Sequence, residues 1–111
     1  MKDVWTEAVV IYVGRKDMNT KKNCSMRRIK KAIAGYVNEV GLCVSLTETR
    51  FIYTGGGEKG IAVGLINYPR FPSDSPTLRK RSMELAEILL RTCKQHKVSV
   101  VFNDKTVMLE A

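Results

Sequence analysis

The chain has 111 residues, of which 44% are hydrophobic and 27% are charged, and these values exclude a disordered or fibrous protein. A chain of this length builds one hydrophobic core but not two, so we expect a single domain over residues 1–111. Lysine and arginine number 19 against 11 aspartate and glutamate, and the net charge of +8 favours an acidic partner: nucleic acid, a small anion or an acidic protein surface.

The cysteines are Cys24, Cys43 and Cys93, an odd number at wide spacings without any C-x-x-C pair. This pattern argues against a disulfide framework or a zinc site and favours a reducing compartment. The first residues lack the features of a signal peptide, and their apolar run is too short to span a bilayer. The sequence therefore predicts a cytoplasmic protein with no membrane contact, no metal and no cofactor.

The first half of the chain predicts a strand and then a helix. The strand covers Val4–Val13, which is rich in β-branched and aromatic residues, and Gly14 ends it. After a basic loop, apolar residues recur at three-and-four spacing from Ser25 to Gly41 and place one face of a helix against a core.

The central segment predicts two strands joined by a glycine-rich loop. Leu42–Thr54 is extended, but its apolar positions change from even to odd numbers, which predicts a bulge or short turn near Thr47–Arg50. The second strand covers Gly60–Tyr68. Between them, Gly55 to Lys59 are expected to form a mobile hairpin loop.

The last third of the chain predicts a second helix and a terminal hairpin. Ser75 and Pro76 suit an N-cap and a first helical position, and the helix is expected to run to His96 on its buried face. Met83 and Leu90 fall on the opposite face, where they are candidates for a protein contact. The strands Val98–Phe102 and Thr106–Leu109 flank a turn-forming Asn-Asp-Lys segment.

This order of elements matches the split β-α-β topology. We therefore predict an α+β, ferredoxin-like two-layer sandwich: an antiparallel sheet with two helices on one face and an extra C-terminal β-hairpin strand. Because this topology hosts many functions, it does not assign one.

The charge distribution favours a non-enzymatic binding protein that contacts nucleic acid or another polyanion. Basic residues concentrate in the loop and on the predicted first helix, and three more occupy the first turns of the second helix, where the helix dipole disfavours cations. The candidate contacts are Arg15, Lys16, Lys21, Lys22, Arg27, Arg28, Lys30, Lys31, Arg79, Lys80 and Arg81. Tyr12, Phe51 and Tyr53 are aromatic, but the third strand lacks the spaced aromatics with which RNA-recognition motifs stack bases.

The alternative is a protein-interaction or inhibitory regulatory module, or a sensor of a phosphorylated ligand or nucleotide. It would use Gly55, Gly56, Gly57 and Lys59 with the outer helix faces, including Met83 and Leu90. A phosphate-cradling loop, however, lies between a strand and a helix, and these glycines lie between two strands. An exposed sheet edge also leaves a homodimer open.

No enzyme signature stands out. His96 is the only histidine and lacks a neighbouring nucleophile, Cys24 lies among basic residues without a partner histidine, and the acidic residues are scattered. The sequence alone therefore predicts a protein that is not an enzyme.

Overall fold

A computed structural model describes residues 1–111. Five strands and two helices follow one another in the predicted order: β1 Ala8–Gly14, α1 Met26–Val40, β2 Val44–Tyr53, β3 Gly56–Ile66, α2 Ser75–Thr92, β4 Lys97–Val101 and β5 Thr106–Glu110. Neither helix has both the length and the apolar character that crossing a bilayer requires.

The five strands form one antiparallel sheet in the order β2-β3-β1-β4-β5. The first four occupy the positions of a ferredoxin-like sheet, and β5 adds an edge strand beside β4. The prediction of a ferredoxin-like α+β sandwich with an extra C-terminal hairpin strand is therefore confirmed.

The core lies between the sheet and the two helices and contains a cluster of 19 buried hydrophobic residues. Alternate residues of the central strands point to the helices, as the period of two requires; on β1 these are Val9, Ile11 and Val13, each at most 1% exposed. Burying each such branched side chain contributes about 1.5 to 3 kcal/mol. The opposite face of the sheet carries no helix, and we call it the open face.

β2 pairs with β3 without interruption along its whole length, so the predicted bulge near Thr47–Arg50 is wrong. Leu46 packs against the core, whereas Phe51 and Tyr53 fall on the open face. Ile52 lies on the helix side of the sheet and is nevertheless 85% exposed, because the hairpin here extends past the helices. The apolar pattern changes phase because the covered face ends, while the register stays the same.

The predicted glycine loop is also wrong, since β3 begins at Gly56 and pairs with Tyr53. Only Thr54 and Gly55 lie between the strands, and Gly55 has a φ of +87°, which glycine adopts without steric cost. The backbone from Gly56 to Lys59 is paired with β2. It is therefore not a loop that wraps around a phosphate.

Both helices have side-chain caps. Ser25 accepts from the N–H of Arg28 at the start of α1, and Gly41 ends that helix in the left-handed conformation with φ +71°. In α2 the cap is Asp74 rather than Ser75. The helix ends at Thr92, so His96 lies outside it and is exposed, in contrast to the expected buried position.

Met83 and Leu90 do not form the exposed patch that was predicted for a protein contact. Leu90 is 6% exposed and belongs to the core cluster, and Met83 is partly buried against that cluster. The prediction took α2 to have a single narrow apolar stripe. In the structure α2 contacts α1, β1 and β4, so more of its circumference is covered.

Candidate functional site

Most carboxylates of this chain have a partner within the protein. Seven of them form ion pairs or hydrogen bonds: Glu7, Asp17, Glu48, Asp74, Glu84, Glu87 and Asp104. Of the remaining four, Asp3, Glu39 and Glu110 are exposed, whereas Glu58 is half-buried. Glu58 is therefore the one carboxylate that is partly removed from water without a cation or donor beside it.

Glu58 lies on β3 directly opposite Phe51 of β2, and both side chains are on the open face. Two residues further along β3, Gly60 pairs with Gly14 of β1. A Cβ atom built on Gly14 would lie 3.0 Å from Glu58 Oε1 and 2.7 Å from Gln95 Oε1. Two oxygen atoms from distant parts of the chain thus converge over a position where only glycine leaves room.

Gln95 is fixed by two hydrogen bonds from its amide nitrogen. Nε2 donates to the carbonyl of Lys16 at 2.6 Å and to the carbonyl of Cys93 at 3.0 Å. The side chain is 8% exposed, and its orientation directs Oε1 towards Gly14, where no protein donor meets it. The amide oxygen is therefore held as an acceptor beside the Glu58 carboxylate.

Two aromatic rings lie on the same face of the sheet as Glu58. A Cβ atom at Gly60 would overlap the ring of Phe51, so that ring lies across the glycine. The ring of Tyr12 meets Phe51 edge to face, with centroids 6.2 Å apart. We refer to Tyr12, Gly14, Phe51, Glu58, Gly60 and Gln95 together as the Glu58 cluster.

The Glu58 cluster is suited to a positively charged organic group. A carboxylate and an amide oxygen accept hydrogen bonds from an ammonium group, and aromatic faces attract ammonium and other onium cations. A half-buried carboxylate without a partner is costly unless a ligand supplies the opposite charge.

No ion pair joins the side chains of the predicted basic residues to Glu58, although the carbonyl of Lys16 accepts a hydrogen bond from Gln95. Arg15 donates to the carbonyl of Cys24 and lies 3.5 Å from Glu48. The other seven from the loop and α1 are exposed: Lys16, Lys21, Lys22, Arg27, Arg28, Lys30 and Lys31. They form a solvated surface on the loop and helix.

Arg79 is already paired with two carboxylates of the protein and is not free to bind an external anion. Its guanidinium contacts Glu7 at 2.6 Å and Asp104 at 3.0 Å, and it lies 4.9 Å from the ring centroid of Phe102. Hydrogen bonds to Asp104 and Glu7 raise the pKa of Arg79, and the pair lowers the pKa of Asp104. Buried Glu7 explains the cation at the start of α2, which the sequence left unexplained.

Lys80 and Arg81 complete the second predicted basic group. Lys80 is exposed. Arg81 borders an open cavity of about 380 Å³ between the end of α1 and the start of α2, together with Asp74, and its carbonyl oxygen lies 3.3 Å from the hydroxyl of Tyr36.

Sequence reasoning missed Glu58, Gln95 and Gly14 as a group. Glu58 was noted among scattered acids, and Gln95 carried no signal at all. The true register of β2 would have placed Glu58 opposite Phe51. Nothing in the sequence pattern indicated that Gln95 comes within reach of Gly14, because they are 81 positions apart.

Comparison with known proteins gives a fold but no sequence family. No family model and no curated protein matches this sequence. A solved structure of a phage SAM lyase in the apo state has a TM-score of 0.78 at 18% identity, covering 95% of this chain and 89% of the lyase. A second structure, of a phage SAM lyase in complex with S-methyl-5'-thioadenosine, has a TM-score of 0.76 at 18% identity. This match covers 96% of this chain and 90% of the lyase.

These likenesses confirm the fold and correct the functional expectation. The prediction of a non-enzymatic protein that binds nucleic acid is contradicted, since both of these solved structures are of phage lyases of S-adenosylmethionine (SAM). The same finding overturns the alternative of an interaction or regulatory module. Surface charge led to the first error, because it indicates a partner's sign without locating a site.

Proposed function

We propose that this chain is a lyase that cleaves SAM and releases S-methyl-5'-thioadenosine. The fold likeness covers almost all of both chains, and the lyase it resembles binds this thioether. The observation that carries the proposal is the Glu58 cluster, which offers a free carboxylate, a fixed amide oxygen and aromatic faces. SAM presents an ammonium group and a sulfonium group, which are the two cations such a site recognises.

The product defines which bond breaks. S-methyl-5'-thioadenosine keeps the sulfur, its methyl group and the adenosyl group, so the bond from sulfur to Cγ of the amino-acid chain is cleaved. The sulfur takes the bonding electron pair and leaves as a neutral thioether, and it needs no acid. The remaining fragment either closes to a lactone, when its own carboxylate attacks Cγ, or loses a Cβ proton to a base and becomes an alkene.

Charge considerations assign roles within the cluster. In the lactone route the attacking carboxylate and the sulfonium neutralise each other, so a carboxylate of the protein beside the sulfonium would stabilise the substrate more than the transition state. Glu58 and Gln95 Oε1 therefore bind the substrate ammonium. Phe51 and Tyr12 border the sulfonium and keep water from the attacking carboxylate.

The test is to incubate the purified protein with SAM and quantify S-methyl-5'-thioadenosine by liquid chromatography and mass spectrometry. We expect turnover by the wild type and a loss of at least about 100-fold in kcat/KM for Glu58→Gln, since a charge-assisted contact to the substrate is removed. Glu39→Gln is the matched control, because Glu39 is an exposed carboxylate on α1. Its kcat/KM should stay within about twofold of the wild type.

The other product separates the two routes. A lactone identifies attack by the substrate's own carboxylate, and an alkenyl amino acid identifies proton removal, for which Glu58 is the base within the cluster. Wild-type protein that leaves SAM intact would refute the proposed activity. Equal rates for both glutamine variants would refute the proposed site.

Two further expectations accompany this proposal. A cytoplasmic location is supported by three cysteines that are all free thiols.

A homodimer stays a prediction. The surface on which to seek it is the open face, where four large apolar side chains are exposed: Tyr12, Tyr53, Ile66 and Met108.

A further inference from the structure

We propose that Cys24 and Cys93 form a peroxide-oxidisable dithiol pair that closes to a disulfide between the segment before α1 and the end of α2. The structure places the two thiols together although 68 residues separate them in sequence. Cys24 Sγ donates a 3.7 Å hydrogen bond to the carbonyl oxygen of Thr92, the residue before Cys93, and both cysteines line the same cavity. A disulfide joins two sulfur atoms about 2 Å apart, so oxidation would draw the two segments together until the sulfurs reach that distance.

Both thiols border one cavity that admits small molecules. It has a volume of about 300 Å³, and its charged lining is Lys22, Arg28 and Lys94 against Asp17. Cys24 is 8% exposed and Cys93 is 0% exposed, so a peroxide entering the cavity meets Cys24 first.

The two cysteines have different environments, which assigns the order of reaction. Burial, together with the neighbouring Cys24, raises the pKa of the Cys93 thiol to about 12. Cys93 is therefore a protonated thiol at neutral pH and is a poor first nucleophile. Cys24 is the peroxidatic sulfur and Cys93 the resolving one.

The chemistry balances with a hydroperoxide as the oxidant. The Cys24 thiol gives up its proton and its sulfur attacks the outer oxygen; the O–O bond breaks, and the departing oxygen takes that proton and leaves as an alcohol or water while Cys24 becomes a sulfenic acid. The Cys93 sulfur then attacks the Cys24 sulfur, the S–O bond breaks, and the Cys93 proton leaves with the hydroxyl group as water. Two thiols are oxidised by two electrons in total, and one peroxide is reduced.

The third cysteine provides an internal reference. Cys43 is exposed on the segment before β2 and is not part of the pair. Reduced full-length protein is treated with hydrogen peroxide and denatured in N-ethylmaleimide, and alkylated thiols are counted by intact mass. We expect the wild type to change from three alkylated thiols to one, and Cys43→Ser to change from two to none. A non-reducing peptide map should show the Cys24–Cys93 cross-link.

Single variants test the order of reaction. Cys93→Ser should accumulate a sulfenic acid at Cys24 that a cyclic dione traps, whereas Cys24→Ser should retain its Cys93 thiol. Wild-type protein that keeps both buried thiols, or that cross-links through Cys43, would overturn the proposal. The wild type and Cys43→Ser decide it even when the core variants fold poorly, and neither readout depends on the proposed lyase activity.

Discussion

At the scale of single residues, Glu84 and Glu58 differ in that Glu84 joins two helices, whereas Glu58 belongs to the proposed substrate site. Glu84 accepts a 2.7 Å hydrogen bond from the hydroxyl of Tyr36, which joins α2 to α1. Glu58 lies in a similarly intermediate environment and has no such donor. Folding alone would favour a neutral residue there, so the cost in stability is better explained by a bound cation.

Tyr36 supplies a prediction about pH. Burial, and then the hydrogen bond to Glu84, raises the pKa of Tyr36. Below a pH of about 10, the tyrosine is protonated in both the folded and the unfolded chain, and its contribution to stability is complete. At higher pH the unfolded chain loses its proton first, so this contribution falls as pH rises.

We therefore expect Tyr36→Phe to lower the free energy of unfolding by roughly 1 to 2 kcal/mol at neutral pH. The difference from the wild type should be constant up to about pH 9 and should shrink as the pH rises above about 10, the pKa of tyrosine in the unfolded chain. Urea denaturation of both proteins across this range measures it. If the difference in the free energy of unfolding did not change with pH, the hydroxyl of Tyr36 would stabilise the protein through packing, and its pKa would be the same in the folded and unfolded chain.

At the scale of elements, two glycines with different surroundings predict opposite effects of the same substitution. A Cβ at Gly60 overlaps the ring of Phe51 and lies 2.8 Å from the carbonyl oxygen of Val13, whereas a Cβ at Gly35 on the exposed side of α1 meets nothing within 4 Å. Gly60→Ala should destabilise the protein by about 1 to 3 kcal/mol through overpacking. Gly35→Ala should stabilise it by up to about 1 kcal/mol through helix propensity.

Thermal unfolding of the two alanine variants beside the wild type tests this pair. Gly60→Ala should also displace Phe51, and a change in the near-ultraviolet circular dichroism of the aromatic residues would report it. Equal melting temperatures for both variants would contradict the close packing of Phe51 on β3.

The elements themselves were predictable, because each depends on neighbouring residues. The three-and-four spacing of α1 and the turn before β5 gave the right types in the right order, and hence the topology. The predicted bulge near Thr47–Arg50 was wrong because the apolar positions of β2 change phase where the helices stop covering the sheet. The sequence does not show how far the helices reach. The Glu58 cluster could not be predicted for a related reason, because only the tertiary structure brings Gln95 close to Gly14.

At the scale of the whole molecule, charge and shape have separate roles. The chain measures 47 × 29 × 24 Å, and the β2–β3 hairpin extends past the helices. The exposed lysines and arginines are spread over the loop, α1 and the other elements of the chain, while the Glu58 cluster lies on the open face of the sheet. The net charge of +8 therefore surrounds a site whose own local charge is negative.

This arrangement predicts the effect of salt on the proposed reaction. SAM carries one net positive charge, so the overall field of the protein repels it at long range, while its contact with Glu58 is short. Raising the ionic strength from about 10 mM to 100 mM shortens the Debye length from about 30 Å to about 10 Å, which screens the repulsion but leaves the half-buried contact largely intact. We expect kcat/KM for SAM to rise by about twofold over this range.

Initial rates at SAM concentrations well below KM measure this dependence. Charge reversal of exposed basic residues, such as Lys30→Glu with Lys31→Glu, should raise kcat/KM at low salt and flatten its dependence on salt. A nucleic-acid-binding protein would show the opposite trend, because its affinity falls as counterions compete. A steep fall of kcat/KM with added salt would mean that the field SAM meets on approach is negative, and the local carboxylate would then outweigh the charge of the whole chain.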